Sequence, residues 1–307
     1  MPRNLHDLPR LRDSLSYLYV EHAVVQRRHH AIEYIREDHG RVMIPVASLS
    51  VLLLGPGTRI THAAIRILAE HGCTVLWVGE ETTRFYAQGI GETRHAHRLL
   101  RQAQLVSHQQ KRLRVVRRMY AMRFGEPLDP SWSLEQIRGR EGNRVRSAYR
   151  EASKRYGVPW VGRRYDRHNW KQSDPINRAL SAANALLNGL CHAAILAGGY
   201  SPALGFIHTG KQLSFVYDIA DLYKVEITIP AAFETVAESE KRVEARVRQR
   251  CRERFREVKL LQRILPDIDR LLDLTREPVE KDYDADPALP GAWWGPEMEV
   301  THGSDDS

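Results

Sequence analysis

Short runs of apolar residues, separated by glycine, proline and other turn residues, dominate the first ninety positions of the chain. Runs of this length, either continuously apolar or alternating with polar residues, are typical of β-strands. The predicted strands fall within residues 14–23, 30–35, 41–54, 73–79 and 83–89. One helix interrupts them, with Thr61 as its N-cap, an apolar face formed by Ile65, Leu68 and Ala69, and Gly72 at its end. The pattern therefore predicts a small β-rich unit.

The pattern becomes helical after Gly91. Helices are predicted within residues 94–123, 141–156, 175–197 and 240–265. In the third helix, Asp174 is the predicted N-cap, Pro175 the first helical residue, and the glycines at 198 and 199 the stop signal. Pro266 is predicted to end the fourth helix, because proline cannot continue the backbone hydrogen-bonding pattern.

The expected fold class is therefore α+β, with a small N-terminal β domain at residues 1–91 and a larger all-α domain at residues 92–276. A length of 307 residues agrees with about two domains. Residues 277–307 carry 9 acidic side chains against 1 basic one and are rich in proline and glycine. We expect this acidic tail to be disordered in isolation.

Neither a secretory signal nor a membrane-spanning segment is predicted. The most apolar long stretch, residues 179–198, is interrupted by Asn184, Asn188 and His192, which favours a buried helix of a globular domain. The three cysteines are scattered and form no CxxC pair for zinc or redox chemistry. We therefore expect a protein of the reducing cytoplasm.

Positive charge is concentrated in two parts of the chain, whose net charge is +8. Residues 94–164 hold 18 lysines and arginines against 5 acids, and residues 239–263 hold 10 against 4. Most of these cations are arginines, which pair bidentately with phosphate. Such a distribution indicates a polyanionic partner, and nucleic acid is the expected one. The alternative is that these residues form ordinary solvated helix faces.

Candidate catalytic groups occur within residues 207–224, where His208, Asp218 and Asp221 flank an apolar run. Carboxylates in apolar surroundings are costly to bury unless they are paired or bind a cation. Asp218 and Asp221 are three residues apart, so a helix would hold both on one face as two arms of a shared site. The alternative is structural: Asp218 as a helix N-cap, Asp221 in the first turn, and His208 as an ordinary loop histidine.

A third acid, Glu141, is predicted at the start of a helix, among Arg138, Arg140, Arg144 and Arg146. In the structural alternative, it is a helix-terminal carboxylate neutralised by its neighbours. In the functional interpretation, it lies where a phosphodiester would arrive, and a metal joining it to the histidine and aspartate described above would offset its repulsion of DNA. Two carboxylates and one imidazole favour Mg²⁺ or Mn²⁺, and the nitrogen ligand favours Mn²⁺.

Residues 205–212, GFIHTGKQ, nearly match the phosphate-binding loop of ATPases. Gln212 replaces the hydroxyl residue that would bind magnesium, and the segment is not predicted to lie between a parallel strand and a helix. An ATPase is therefore not expected, although Lys211 remains available to meet a phosphate.

Several longer segments resemble one known family. They are LGPGTRITHAAIR (54–66), VLWVGE (75–80), RFGEP (123–127), EQIRGREGNRVR (135–146), YGVPWVGRRYD (156–166) and GFIHTGKQLSFVYDIADLYK (205–224). Together they resemble the CRISPR-associated adaptation integrases, specifically the type I, subtype E branch, over residues 15–274. In that family a Glu–His–Asp set binds the divalent metal. The matching positions are Glu141, His208 and Asp221, with Asp218 as an adjacent assisting acid.

The resemblance also implies an assembly. The N-terminal β domain would form a homodimer, the C-terminal helical domain would be catalytic, and two such dimers would be bridged by a small ferredoxin-like partner. Arg59, Arg66 and Arg84 match positions associated with DNA backbone contact, whereas Tyr165 and Lys211 match positions near a pocket for the single-stranded end. His22 stands where a tyrosine that stacks on the duplex end is expected. Further DNA-binding candidates in the basic stretches are Arg138, Arg146, Arg163 and Arg248.

The implied reaction is a metal-dependent transesterification, in which the 3′-hydroxyl of double-stranded prespacer DNA with single-stranded ends attacks a phosphodiester at a CRISPR repeat. Two alternatives remain: a metal-dependent endonuclease that uses water as the nucleophile, and a non-catalytic DNA-binding scaffold. His208 would be either a metal ligand or a general acid for the leaving 3′-oxygen.

Overall fold

The structure, a computed structural model, describes residues 17–36, 40–80, 85–89, 96–163 and 174–274. Within these ranges the chain forms one compact unit. The predicted boundary near Gly91, the predicted DNA-binding residues Arg84 and Tyr165, and the acidic tail lie outside the described residues. The division into domains 1–91 and 92–276 therefore stays a prediction.

The first part of the chain is rich in strands, as predicted. Its elements are β1 (Tyr17–Val20), β2 (Val24–Arg28), β3 (Ala31–Arg36), β4 (Gly40–Pro45), β5 (Val51–Leu54), β6 (Arg59–Ile60), α1 (His62–Glu70), β7 (Thr74–Val78) and β8 (Phe85–Gly89). The described strands form two four-stranded sheets, in the orders β1-β5-β7-β8 and β4-β3-β2-β6. In the first sheet β1, β5 and β7 are parallel and β8 is antiparallel to β7.

Each of the five predicted strand segments overlaps an observed strand. α1 has the predicted N-cap, because the Thr61 hydroxyl accepts a hydrogen bond from the amide of Ala64. Sequence patterns missed β2 and β6. β2 contains Gln26, Arg27 and Arg28, and it is a strand because it pairs with β3 on one side and β6 on the other. Such pairing is tertiary information that a local pattern does not contain.

The second part of the chain is helical, which confirms the predicted α+β class. Its elements are α2 (His97–Ser107), α3 (Gln109–Phe124), α4 (Leu134–Tyr156), α5 (Pro175–Ala197), α6 (Ser214–Ala220), a π-helical turn (Lys224–Thr228), α7 (Ile229–Glu238), α8 (Val243–Glu257) and α9 (Leu260–Leu271). α5 lies at the centre and contacts α6, α7, α8 and α9. Its length and mean hydropathy would suit a membrane span, but 67% of its most apolar window is buried within the protein.

Strand β5 connects the two parts of the structure, because both of its faces are buried. Leu52 packs in a cluster with Leu68 of α1. On the opposite face, Leu53 packs in a second cluster with Ala193 and Leu196 of α5. Burying a leucine side chain contributes roughly 2 kcal/mol to stability, so this second cluster holds the sheet against α5, the central helix of the helical part.

Two of the predicted helices are each two helices. The stretch at 94–123 breaks at His108, whose backbone is extended, and the break allows Gln102 of α2 and Arg112 of α3 to reach different carbonyls of the 201–206 segment. The stretch at 240–265 breaks at Lys259, which has a left-handed backbone with φ 48°. Pro266, predicted to end that stretch, lies inside α9 instead. The apolar face of α9 is buried against the helical core, and this burial offsets the cost of the proline.

The helix that carries Glu141 begins earlier than predicted. α4 starts at Leu134, behind a capping box in which the Ser133 hydroxyl accepts from the Gln136 amide and the Gln136 side chain accepts from the Ser133 amide. This reciprocal cap starts the helix, which then continues through glycines 139 and 142. Glu141 therefore lies in the interior of α4, and its charge is neutralised by side chains, not by the helix N-terminus.

The buried imidazole of His192 gives a prediction for acid stability. Burial lowers the pKa of His192 to about 4, and its ring centroid lies 4.4 Å from that of Phe85. The unfolded chain has an ordinary histidine pKa of about 6.5, so this contribution to stability is complete above about pH 6.5 and is lost as the pH falls toward 4, by about 3 kcal/mol. His192→Leu should therefore show a shallower fall of Tm between pH 6.5 and 4 than the parent protein.

The control is His30→Leu, which alters an exposed histidine and should keep the parental pH profile. Thermal unfolding followed by circular dichroism measures both profiles, and identical slopes for the parent and His192→Leu would contradict this assignment.

Candidate active site

Asp218 organises the segment that precedes α6. Its side chain is fully buried, and its carboxylate accepts hydrogen bonds from three successive backbone amides: Phe206 at 2.6 Å, Ile207 at 3.0 Å and His208 at 2.9 Å. A buried carboxylate requires such donors, and here the donors all come from one loop. Asp218 therefore fixes the path of residues 206–208, although it lies within α6 and is not an N-cap.

The same carboxylate orients His208. The imidazole Nδ1 lies 2.7 Å from Oδ1 of Asp218. Because a carboxylate accepts hydrogen bonds, Nδ1 is the donor, and in the neutral imidazole the lone pair then lies on Nε2. The His208 side chain is 42% exposed, and its ring meets the edge of Tyr217 with centroids 5.9 Å apart. The histidine is thus held in one orientation and one tautomer, with the second ring nitrogen available for chemistry.

Glu141 and Asp221 converge on a single guanidinium. Nη1 of Arg123 lies 3.6 Å from Oε1 of Glu141, and Nη2 lies 3.4 Å from Oδ2 of Asp221. Arg123 is in the last turn of α3, Glu141 is in α4, and Asp221 directly follows α6. Three helices therefore bring these charges together. The arginine side chain is only 5% exposed, and the carboxylates are 13% and 22% exposed.

Each of these two carboxylates has a second cation on its own helical segment. Arg144 forms a bidentate pair with Glu141, at 2.8 and 3.2 Å, and Nζ of Lys224 lies 2.6 Å from Oδ1 of Asp221. Two negative charges are thus surrounded by three positive ones, of which Arg123 is shared. This surplus of cations allows the acids to lie in a partly dry site close to a basic surface.

The predicted residues form two groups: Glu141 and Asp221 share the guanidinium of Arg123, and His208 is paired with Asp218. The groups are linked through Nη2 of Arg123, which lies 3.3 Å from the backbone carbonyl oxygen of Asp218. The carboxylates of Asp218 and Asp221 have separate partners, so they are not arms of one shared contact. Among the residues that the structure describes, no three His, Cys, Asp or Glu side chains are arranged to hold a metal ion. The donor chemistry suits a divalent cation, but the space between Glu141 and Asp221 is bridged by a guanidinium.

Sequence reasoning named Arg144 among the arginines that could neutralise Glu141, but it missed Arg123 and Lys224. Arg144 and Lys224 each follow an acid by three residues, a spacing that predicts ion pairs on a helix. Arg123 is far from both acids in sequence. Its only signal is its position in the RFGEP segment, and that segment does not indicate which groups it contacts.

The structure describes several predicted DNA-binding residues in the β-rich part. Arg59, His22 and Arg66 are all exposed. Arg66 also forms an ion pair within α1, where its Nε lies 3.5 Å from Oε1 of Glu70. His22 has a left-handed backbone with φ 48°, and its ring lies so close to Gly57 that a Cβ there would be 2.5 Å from Nδ1. The missing side chain at position 57 therefore makes room for this imidazole.

The predicted DNA-binding residues of the helical part differ in how they are held. Lys211 is exposed, and so are Arg138 and Arg146 of α4, the latter contacting Asn143. Arg163 donates to the backbone and side chain of Asn177, and Arg248 is partly buried on α8.

Part of the arginine excess stabilises the protein itself. Arg98 pairs with Asp269 at 2.7 Å, and other arginines of α2 and α3 donate to carbonyl oxygens of distant segments. These donors are Arg101, Arg112, Arg117 and Arg118. On α8, Arg250 and Arg254 pair with acids of α7. Several arginines of the basic stretches are therefore engaged in contacts within the protein, whereas others, such as Arg138, are exposed.

Comparisons with known proteins agree with one another. A family model described as CRISPR associated protein Cas1 matches residues 16–126 and 125–246. The CRISPR-associated endonuclease Cas1 2 of Thermus thermophilus is 57% identical over 302 residues, covering 98% of this chain and 93% of that protein. The CRISPR-associated endonuclease Cas1 of Escherichia coli is 43% identical over 268 residues, covering 87% and 88% respectively.

Solved structures show the same relationship. A crystal structure of a TtCas1-DNA complex has a TM-score of 0.76 and 59% sequence identity, over 86% of this chain and 99% of that one. A casposase bound to its integration product has a TM-score of 0.58 at 14% identity, over 86% of this chain and 97% of that one, and this likeness concerns the fold alone.

The hydrogen bonds of Asp218 give a testable prediction. Asp218→Asn replaces one acceptor oxygen with an amide group that opposes the backbone donors, so we expect a loss of about 3 kcal/mol in the free energy of unfolding. Urea denaturation measures this loss, and hydrogen exchange should become faster at the amides of residues 206–208.

The matched control is Asp174→Asn. Asp174 caps α5 by accepting from the backbone amide of Asn177, and its other oxygen accepts from the Asn177 side chain. Asparagine is an equally good N-cap and water can reach this partly buried position, so the cost should stay within about 1 kcal/mol. Equal losses for both variants would refute the anchoring role of Asp218.

Proposed function

The chain belongs to the Cas1 family of CRISPR-associated proteins, and on that premise we propose that it is the DNA integrase of CRISPR adaptation, in the type I, subtype E branch. The observation that carries this proposal is the convergence of Glu141 and Asp221 on one cation, beside a histidine held in a single tautomer. Groups so arranged suit the transfer of a phosphoryl group, in which negative charge builds up on oxygen.

The proposed reaction exchanges one phosphodiester for another. The 3′-oxygen of a prespacer strand attacks a phosphorus atom at the edge of a CRISPR repeat, and the bond from that phosphorus to the repeat's own 3′-oxygen breaks. The attacking hydroxyl loses a proton and the leaving 3′-oxygen gains one. Because the number of phosphodiester bonds is conserved, the reaction requires no nucleotide hydrolysis, in agreement with the incomplete phosphate-loop motif at 205–212.

We propose that Glu141, His208 and Asp221 hold a Mg²⁺ or Mn²⁺ ion. The support is chemical: two carboxylates and one imidazole are ligands that these ions accept. When bound, the ion would polarise the phosphodiester and stabilise charge on the attacking or leaving oxygen. The residues around it have supporting roles. Asp218 engages Nδ1 of His208, which leaves Nε2 as the nitrogen that can face an ion, and Arg144 and Lys224 hold the two carboxylates.

DNA would be bound mainly through its phosphates. Exposed arginines on α4 and at the edge of the β-rich part support this, as does a relative at 59% identity whose structure is described as a DNA complex. The further partners that we propose, from the resemblance alone, are a second copy of this chain, the CRISPR repeat and a small ferredoxin-like subunit.

A second candidate function is cleavage of DNA with water as the nucleophile. The relatives from Thermus thermophilus and Escherichia coli are named endonucleases, and the same site could orient a water molecule in place of a 3′-hydroxyl. The two functions differ in their products: hydrolysis cuts a strand, whereas integration joins two.

One prediction of the proposed function concerns strand transfer. Labelled prespacer DNA and a supercoiled plasmid carrying a repeat, incubated with Mn²⁺ and the small partner, should give joined product. Glu141→Gln, His208→Asn and Asp221→Asn should each lower its rate by about 100-fold or more, because each removes a group that acts on the reacting phosphate. DNA affinity should remain.

Glu226→Gln is the matched control, because Glu226 pairs with the partly exposed Arg263 and should keep full strand transfer. Cut plasmid without joined product would favour the endonuclease. Spacer acquisition that is unaffected by all three substitutions would leave only a DNA-binding scaffold.

Another prediction of the proposed function concerns the salt dependence of DNA binding. Binding to duplex DNA should weaken steeply as the salt concentration rises, and Arg138→Ala or Arg146→Ala should each reduce the slope of log K against log salt by about 1. Arg254→Ala should leave the slope unchanged, because Arg254 is already paired with Glu234. Fluorescence anisotropy titrations measure these slopes, and a flat response of the parent protein would contradict a phosphate-based interface.

A further inference from the structure

Arg123 holds its two carboxylates loosely. Its guanidinium contacts Glu141 at 3.6 Å and Asp221 at 3.4 Å, each through a single nitrogen. By contrast, Arg144 donates to Glu141 through two nitrogens, at 2.8 and 3.2 Å. Charge-assisted pairs of good geometry have distances of about 2.7–2.9 Å. The Arg123 contacts are therefore longer than arginine achieves elsewhere in the same site.

The rest of the Arg123 side chain is also incompletely satisfied. Its Nε is buried without a hydrogen-bond partner, and Nη2 makes one further contact, 3.3 Å from the carbonyl oxygen of Asp218. The guanidinium lies near the ring of Tyr120, with its carbon 5.3 Å from the ring centroid. A buried arginine with an unsatisfied nitrogen is costly, so its retention here requires an electrostatic reason.

That reason is the pair of acids. Glu141 and Asp221 are largely removed from water, and two carboxylates that face each other in a low dielectric repel strongly unless a cation lies between them. Arg144 and Lys224 bind each acid from its own helical segment, and Arg123 contacts both acids at once. It therefore neutralises the same two carboxylates that the proposed divalent ion would need as ligands.

We propose that Arg123 is a positioning residue that takes the place of the divalent ion in the metal-free protein. It holds the carboxylates of Glu141 and Asp221 facing one another and yields at least one of them when the ion binds. This inference rests on the proposed function, because it takes these two acids as metal ligands. It follows that Arg123 stabilises the metal-free protein and opposes metal binding, so that only a divalent ion competes effectively for the carboxylates.

The experiment compares Arg123→Met with the parent protein, first in chelator and then in a titration with MnCl₂. Without metal, Arg123→Met should lower Tm by on the order of 5–10 °C, because two facing carboxylates lose their shared cation. Saturating Mn²⁺ should restore at least half of that loss, giving a larger metal-induced rise in Tm than in the parent. Calorimetric titration should show Mn²⁺ affinity raised on the order of tenfold or more.

Arg117→Met is the matched control on the same helix. Arg117 donates to the carbonyl oxygens of Trp132 and Asp129 and contacts no predicted ligand. Its removal should lower Tm, but the Mn²⁺-induced rise in Tm and the Mn²⁺ affinity should match those of the parent. A purely structural role for Arg123 would give this same result in Arg123→Met and would overturn the inference.

The outcomes separate this inference from the proposed metal site. If Mn²⁺ binds the parent but raises the Tm of the parent and of Arg123→Met equally, the inference falls and the metal site stands. If Mn²⁺ neither binds nor stabilises the parent, both fall.

Should Arg123→Met fail to fold, the double variant Arg123→Met/Asp221→Asn provides a test without metal. With one carboxylate neutral, the repulsion is gone, so the double variant should fold and have a higher Tm in chelator than the single variant. A double variant that is no more stable than Arg123→Met would also overturn the proposal.

Discussion

The partial burial of Glu141 and Asp221 is the constraint on which the arrangement of the helical part depends. Each carboxylate must be compensated within the protein, because water reaches only a small part of it. The compensation draws one cation from α3 and one from the segment that carries each acid. The end of α3, the interior of α4 and the end of α6 are therefore fixed relative to one another by charge as well as by apolar packing.

The same principle applies to Asp218, where backbone amides and an imidazole take the place of arginine and lysine. Three amides and one imidazole satisfy a carboxylate that has no access to water. These two ways of satisfying a buried carboxylate have different consequences. Amide donors fix a loop permanently, whereas a shared guanidinium can be exchanged for another cation. A rigid histidine thus lies beside a pair of acids whose charge balance can change.

Local chemistry explains which parts of the fold the sequence predicted. Thr61 and Asp174 are caps whose side chains act within three residues, and both were predictable. The start of α4 was predicted wrongly, because the prediction did not consider the capping box at Ser133, from which the helix runs on through glycines 139 and 142. The breaks at His108 and Lys259 depend on the tertiary contacts of the helices on either side, so a local sequence pattern does not predict them.

The candidate site divides in the same way. Resemblance and residue chemistry together pointed to the acids and the histidine, but the partner of those acids, Arg123, comes from a distant helix and has no motif of its own. Likewise, the arginine content predicted a polyanion partner, whereas the structure assigns several of those arginines, Arg98 among them, to internal contacts. Composition counts charges without saying which of them are already paired.

Strand β5 has a consequence for how the chain could be divided experimentally. Its Leu53 faces Ala193 and Leu196 of the central helix, so the apolar surfaces of the sheet and the helices cover each other. Cutting the polypeptide between β8 and α2 would leave each fragment with an exposed apolar surface. Such fragments would associate with each other or aggregate. Co-expression of the two halves is therefore a better way to study them than isolation of either one.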